Sequence, residues 1–260
     1  MSKPPKRRRP RTLRSALGVA SLALGAAATP AHAQERAGVA GAVVPTASAQ
    51  RPGAGSRTLA IGAEVVRNER IATDASGRAQ LMFLDQTSVT LGPASELTID
   101  EFVYNPAQGA GTAAVTLGRG VMRFVGGRLS KQQDATIRTS VATIGIRGAI
   151  AIAEILPDLS TQIVFVYGNR LSVGSSTGST RVLTQPGLAI IVGANGTIGD
   201  PFFPSAALLD RLLGLLGPPS GSSGPGAPDL RLPTLYVPPD IINPTGIRQI
   251  LIQSRPSLGY

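Results

Sequence analysis

The sequence predicts an all-β protein, a two-sheet sandwich with solenoid-like winding, followed by a short helix and a Pro-rich C-terminal tail. Three observations carry that expectation. From Leu59 to Val173 apolar residues recur at every second position in short runs, the period of a strand with one face buried. Gly, Asn and Pro break these runs at close intervals, as turns require. No long apolar stripe of helical period interrupts residues 59 to 199, which disfavours an alternating α/β architecture.

Residues 1–33 read as a secretory leader. Lys3, Lys6, Arg7, Arg8, Arg9, Arg11 and Arg14 form a basic start, and Ala16 to Ala28 is an uncharged apolar run. Ala31-His32-Ala33 is an A-x-A cleavage signal, so the mature chain is expected to begin near Gln34. The 13-residue run is too short to cross a hydrocarbon layer of about 30 Å as a helix. No stable membrane span is expected, and the expected location is periplasmic or secreted.

Removing the leader changes the charge. Seven of the 25 basic residues lie in it and none of the 15 acidic ones, so the remainder carries 18 against 15, a net of +3. The strongly basic balance of the whole chain therefore mostly reports the leader, and a nucleic-acid partner is not expected. The sequence has no Cys, so no disulfide supports it, and its one His lies in the leader. Most proton-shuttle and metal-binding chemistry is thereby excluded. No catalytic, cofactor-binding or metal-binding residue is assigned.

Residues 34–200 form the expected β domain. Gln34 to Arg57 is part linker, with Val39 to Val44 a candidate strand. Leu59 to Ile61 and Val65-Val66 read as strand. Ala79, Leu81 and Phe83 alternate with Gln80, Met82 and Leu84, and Val89, Leu91, Leu97, Ile99, Phe102 and Tyr104 continue the pattern. Val121 to Val125, Ile137 to Val141, and Ile144 to Ile152 follow. Ile163 to Tyr167 and Leu171 to Val173 flank Gly168-Asn169, which reads as a two-residue hairpin turn. Asp74 to Gly77 and Asn195-Gly196 are further turn signals. Gly62, Gly120, Gly168 and Gly187 lead strands at unequal spacings, so the winding is not a regular repeat.

Residues 201–260 differ. Ala206 to Leu216 is expected to form a short helix capped by Ser205. Pro218 to Pro228 is a Gly/Ser/Pro linker, and prolines from Pro233 to Pro256 prevent long regular elements in the tail.

The stretch from Leu59 to Gly148 resembles the FecR domain family. The matching residues are Leu59 to Val65, Ile71-Ala72-Thr73, Gln80 to Pro93, Ile99 to Pro106, Gly120 to Phe124 and, most specific, Ala142 to Gly148. The likeness covers about residues 38 to 195. It implies an exported, non-enzymatic β domain associated with envelope sensing and protein contact. The family's namesake has a cytoplasmic anti-sigma segment and a membrane span. The short apolar run of this chain does not support transferring that relay.

Several polar groups are candidate sites. Gly174 to Gly178 matches a G-x-S-x-G nucleophile elbow, but with no His beyond the leader and no following helix it reads as a turn, a pairing of its serine with Lys131 being the remaining alternative. Asp74, Asp85, Asp100 and Glu101 read as turn-capping carboxylates, with a structural Ca²⁺ the alternative. Arg119, Arg123, Arg128, Lys131, Arg138 and Arg147 face Asp134 alone between Glu101 and Glu154, a local +5. Of these, Arg119, Arg123, Arg128, Lys131 and Arg138 are the candidate partner-binding residues, for an envelope protein or an acidic polymer. The competing reading is a solvated sheet face balanced by Glu96, Asp100 and Glu101. Phe83, Phe102, Tyr104, Phe124, Phe165 and Tyr167 are expected in the core.

Overall fold

The computed structural model describes residues 36–217. The expected leader and the linker and tail after Gly217 lie outside the described residues. The described chain is all-β, with 15 strands and two helices.

A long hairpin organises the rest. Strand β12 (Ala142–Ile155) pairs along its whole length with β13 (Thr161–Ser175). The other edge of β12 is shared. Thr143 to Ile146 pair with β11 (Ala135–Arg138), and Ile150 to Glu154 pair with β10 (Val121–Val125). Two arms of strands therefore leave that one edge.

The first arm continues from β11 through β9 (Ala110–Arg119), β8 (Glu96–Asn105), β5 (Arg70–Thr73) and β2 (Ala47–Gln50) to β3 (Ser56–Thr58). The second continues from β10 through β7 (Ser88–Leu91), β6 (Arg78–Phe83) and β1 (Arg36–Val44) to β4 (Glu64–Val66). On the far edge of β13, β14 (Thr180–Leu183) extends the first layer and β15 (Ala189–Val192) the second. The two layers of the sandwich are thus parts of one continuous, curled hydrogen-bonded sheet.

The layers meet through their apolar faces. Phe83 of β6 and Phe102 of β8, one from each layer, stack with ring centroids 5.2 Å apart. Leu81, Val89, Leu91, Leu97, Ile99, Leu117, Phe124, Ile144, Ile146 and Phe165 join them in one buried cluster. This is the period-two pattern made physical, since Gln80, Met82 and Leu84 point away from the core. Successive strands repeatedly change layer: β1 lies in the second, β2 and β3 in the first, β4 in the second, β5 in the first, β6 and β7 in the second. That alternation is the expected solenoid-like winding.

Two expectations are corrected. Gly168-Asn169 is not a hairpin turn, because β13 runs unbroken through it. Gly168 has φ +126° and sits opposite Ala149 beside a register shift, where the strand passes from the second layer to the first. A glycine at positive φ serves a bulge as well as a tight hairpin, so the residue type alone does not separate them. The real turn lies at Leu156 to Ser160, where Leu156 N–H donates to the Ser160 carbonyl. Leu59 to Ile61 is likewise not strand but the entry to a turn through Gly62.

Leu159 in the real hairpin turn holds φ +66° and is 63% exposed. A branched, apolar residue there bears both left-handed strain and solvent exposure. Leu159→Gly should raise stability by about 0.5–1 kcal/mol, read as a higher melting temperature. A fall would show that Leu159 makes contacts that outweigh its strain.

The expected helix is α2 (Ala206–Leu216), and Ser205 Oγ accepts from Leu208 N–H at 3.2 Å as its cap. Leu212 and Leu216 bury against Val121, Ile152, Val164 and Ala189 on the outer face of the second layer. Arg211 fastens the helix to Glu154 through two hydrogen bonds of 2.6 and 2.7 Å. Arg78 donates to the carbonyls of Gly214 and Leu215 at its C-terminal end. Among the described residues no helix is long and apolar enough to cross a membrane.

Candidate binding surface

The winding that builds the core also disperses the cations that are neighbours in sequence. Arg119 ends β9 and Arg138 ends β11, both in the first layer. Arg123 lies between Met122 and Phe124 on β10 in the second layer. Since Met122 and Phe124 point into the core, Arg123 points out on the opposite side of the sandwich. Arg128 and Lys131 are exposed on the short helix α1 (Arg128–Gln132), which packs against β12 and β9. The five candidates do not form one patch.

Most of the first-layer cations are matched across the strands. Arg119 Nε lies 3.6 Å from Glu96, and Arg70 also hydrogen-bonds Glu96. Arg138 lies 3.2 Å from Asp100, which accepts a second bond from Thr116 at 2.7 Å. Arg147 Nε donates to Asp134 at 2.7 Å. This is the arrangement of a balanced sheet face, with cross-strand opposite charges. Arg128 and Lys131 make no ion pair among the described residues. Arg123 is buried, with Nη2 3.5 Å from Thr90 Oγ1, and burial pushes its guanidinium below the ordinary value.

The hydrogen bond from Arg70 holds Glu96 below the ordinary carboxylate value of 4.5, outweighing the opposing effect of partial burial. A carboxylate whose folded value is depressed stabilises the fold above its unfolded value, and that contribution is lost as pH falls through the folded value. Glu96→Gln should therefore lower stability at about pH 7, and the gap from the wild type should close towards about pH 3. Urea titrations at the two pH values measure it. A gap that persists in acid would mean the loss is not electrostatic.

The acidic residues near turns are spent on structure. Asp85 is fully buried, and its carboxylate accepts from Thr87 N–H at 3.0 Å, Thr87 Oγ1 at 2.8 Å and Leu129 N–H at 3.2 Å. The last of these satisfies an orphan donor in the first turn of α1, and Thr87 Oγ1 accepts from Gly127 N–H at 3.0 Å. Asp85 is thus a clamp between the β6–β7 turn and α1. Asp74 accepts from Ser76 N–H at 3.0 Å, but Asp100 and Glu101 do not cap a turn as expected: both lie within β8, Asp100 paired with Arg138 as above and Glu101 accepting from Thr112 Oγ1 at 2.7 Å. Among the described residues no cluster of three or more His, Cys, Asp and Glu could hold a metal ion.

The Gly174 to Gly178 segment joins β13 to β14, strand to strand, which is not the strand-turn-helix setting of a nucleophile elbow. Ser175 Oγ caps this turn by accepting from Thr177 N–H at 3.0 Å and donating to the Gly196 carbonyl.

Two polar features had no sequence signal. Glu69 is fully buried, accepts from Val66 N–H at 3.0 Å, and pairs with Arg57 at 2.9 Å and Arg51 at 3.4 Å. Glu154 anchors α2 from a position 57 residues away. Glu154 is a lone charge in an apolar run and Glu69 lies between Arg67 and Arg70, neither of which it pairs with, so the partners of both are set by tertiary approach and not by spacing. Arg170 was also missed. It stands directly opposite Arg147 across β12 and β13.

Comparison with known proteins finds similarity over part of the chain. Residues 69–169 match the family model described as FecR protein. Two crystal structures of a proposed anti-sigma factor from Parabacteroides distasonis ATCC 8503 are similar to the chain. One has 21% identity and a TM-score of 0.45, covering 55% of this chain and 64% of that one. The other has 20% identity and a TM-score of 0.45, covering 55% and 63%. The chain thus spans less than two thirds of the length of these structures. No curated protein matches the chain.

Proposed function

From the match of residues 69–169 to the FecR family model, we propose that the chain is an exported, non-enzymatic binding domain that makes protein contact in envelope signalling or organisation. The family match carries this reading. The structure supports the binding half of it: the buried carboxylates Asp85, Glu69 and Glu154 are each occupied by protein donors, which leaves sheet surfaces as the working parts. Export rests on the basic start, apolar run and A-x-A site of residues 1–33. The expected partner is an envelope protein, with no cofactor.

Crosslinking in intact cells tests the reading, with N-terminal sequencing of the trapped chain. The expected product begins near Gln34 and joins the chain to an envelope protein that is absent after crosslinking in a strain lacking it. A chain that keeps residues 1–33 in the cytoplasm would end the export reading. Covalent labelling at Ser175 or Ser176 by a fluorophosphonate would end the non-enzymatic one. A second reading is a secreted structural or glycan-associated module contacting acidic polymer. It is favoured by the facing arginines Arg147 and Arg170.

A further inference from the structure

Arg147 and Arg170 are directly opposite residues of an antiparallel pair. Ile146 and Leu171, their neighbours in sequence, are fully buried in the core, so both arginines project from the outer face of the first layer. Like charges placed opposite one another across strands repel and destabilise the pair. Asp134 relieves Arg147 from one side, while Arg170 makes no ion pair among the described residues. Lys131, three positions before Asp134 on α1, also lacks one, and α1 lies against β12. With Arg147 held by Asp134 at 2.7 Å, the unpaired Arg170 and Lys131 leave this face an excess of positive charge that an anion matches.

The surroundings indicate which anion. The outward positions beside the pair are small and hydroxylated: Thr143 and Gly145 on β12, Ser172 and Gly174 on β13, and Thr180 on β14. Such a surface is open and flat, with hydroxyl groups to exchange hydrogen bonds. The exposed aromatic rings of the described residues are Phe202 and Phe203, beyond β15 at the second layer, while Tyr167, expected in the core, is half-buried on β13, so this face offers no open row of rings for successive bases. A protein partner would find little apolar area to bury, since Val182 is the one large exposed apolar side chain beside this strip. Carboxylates on a hydroxyl-rich chain fit both features, through paired Arg N–H donors and neighbouring hydroxyls.

We propose that the outer face of the first layer, centred on Arg147 and Arg170, binds a linear carboxylate-bearing polysaccharide. This inference rests on the polymer reading above and is independent of the protein contact, which crosslinking tests separately.

The test is a binding titration of the full chain against polygalacturonate at about 0.15 M salt, where diffuse attraction over more than about 8 Å is screened. The wild type should bind, and Arg170→Glu should weaken binding by about tenfold or more without lowering the melting temperature, since it replaces a like-charge cross-strand pair by an opposite one. Arg67→Glu makes the same charge change at an exposed turn between β4 and β5, and should keep binding within about twofold. Should Arg170→Glu fail to fold, Arg170→Gln serves, with an expected loss of about threefold. The proposal is overturned by any of three results: no binding by the wild type, an equal loss in Arg67→Glu, or equally tight binding of poly-glutamate or of an oligothymidylate.

Discussion

Replacing Gly168 by Val should cost roughly 3 kcal/mol or more, enough to consume much of the stability of a domain this size. Two effects add. A β-branched residue resists the φ of +126° that the strand holds there. A Cβ on Gly168 would also lie 2.4 Å from both Ala149 Cα and the Gly148 carbonyl oxygen, a backbone overlap that no rotamer change relieves. Gly148, across the hairpin, has φ +54°, so both strands bend at one place to carry the hairpin from one layer to the other. Chemical denaturation measures the loss. A variant that unfolds at the wild-type denaturant midpoint would mean that the bend can be made without a left-handed residue.

Asp85→Ala should lose about 3 kcal/mol. The side chain removed accepts three hydrogen bonds in a fully buried setting, and its removal leaves Thr87 N–H and Leu129 N–H without partners. Buried donors left unmatched cost more than the bonds themselves contributed. Asp85→Asn keeps the shape and one acceptor oxygen, and should recover part of the loss. Proteolysis near α1 should accelerate in the Ala variant before global unfolding, since α1 would lose its clamp. A loss below about 1 kcal/mol would show that the clamp is replaceable by water. Added calcium should not raise the melting temperature, because the Asp85 oxygens already face protein donors.

The core was legible because it depends on local alternation. Leu81, Val89, Leu97, Ile99, Phe102, Phe124, Ile144 and Ile146 occupy inward positions set by a period of two, whichever strands they pair with. The helix Ala206–Leu216 was legible to the residue through its Ser205 cap and leucine spacing. The turns at Asp74 and Asn195 followed from side chains that bond their own backbone two residues on. Strand pairing was not legible. Nothing in Val121 to Val125 says that its neighbours are Ser88 to Leu91 on one side and Ile150 to Glu154 on the other. For the same reason neighbours in sequence do not make one surface: Arg119 and Arg138 stand in the first layer and Arg123 on the outer side of the second. The competing reading, balance by Glu96 and Asp100, described the first layer correctly because cross-strand pairing follows once β8, β9 and β11 are neighbours. Glu69 and Arg170 were not legible because a charge near the end of an alternating run carries no periodic signal of its distant partner.

The back-and-forth path of the chain also determines what can be removed from it. A fragment cut to residues 69–169 would lack β1, whose pairing covers one whole edge of β6, and β2, which covers β5. It would also end inside β13, before Leu171 and Val173 fill their places beneath Ile144 and Ile146. The portion by which relatives are recognised is therefore smaller than the portion that can fold. Excision at those limits would give a molecule with raw edges prone to self-association. Melting should proceed as a single event, since no contiguous stretch holds a complete share of the interior.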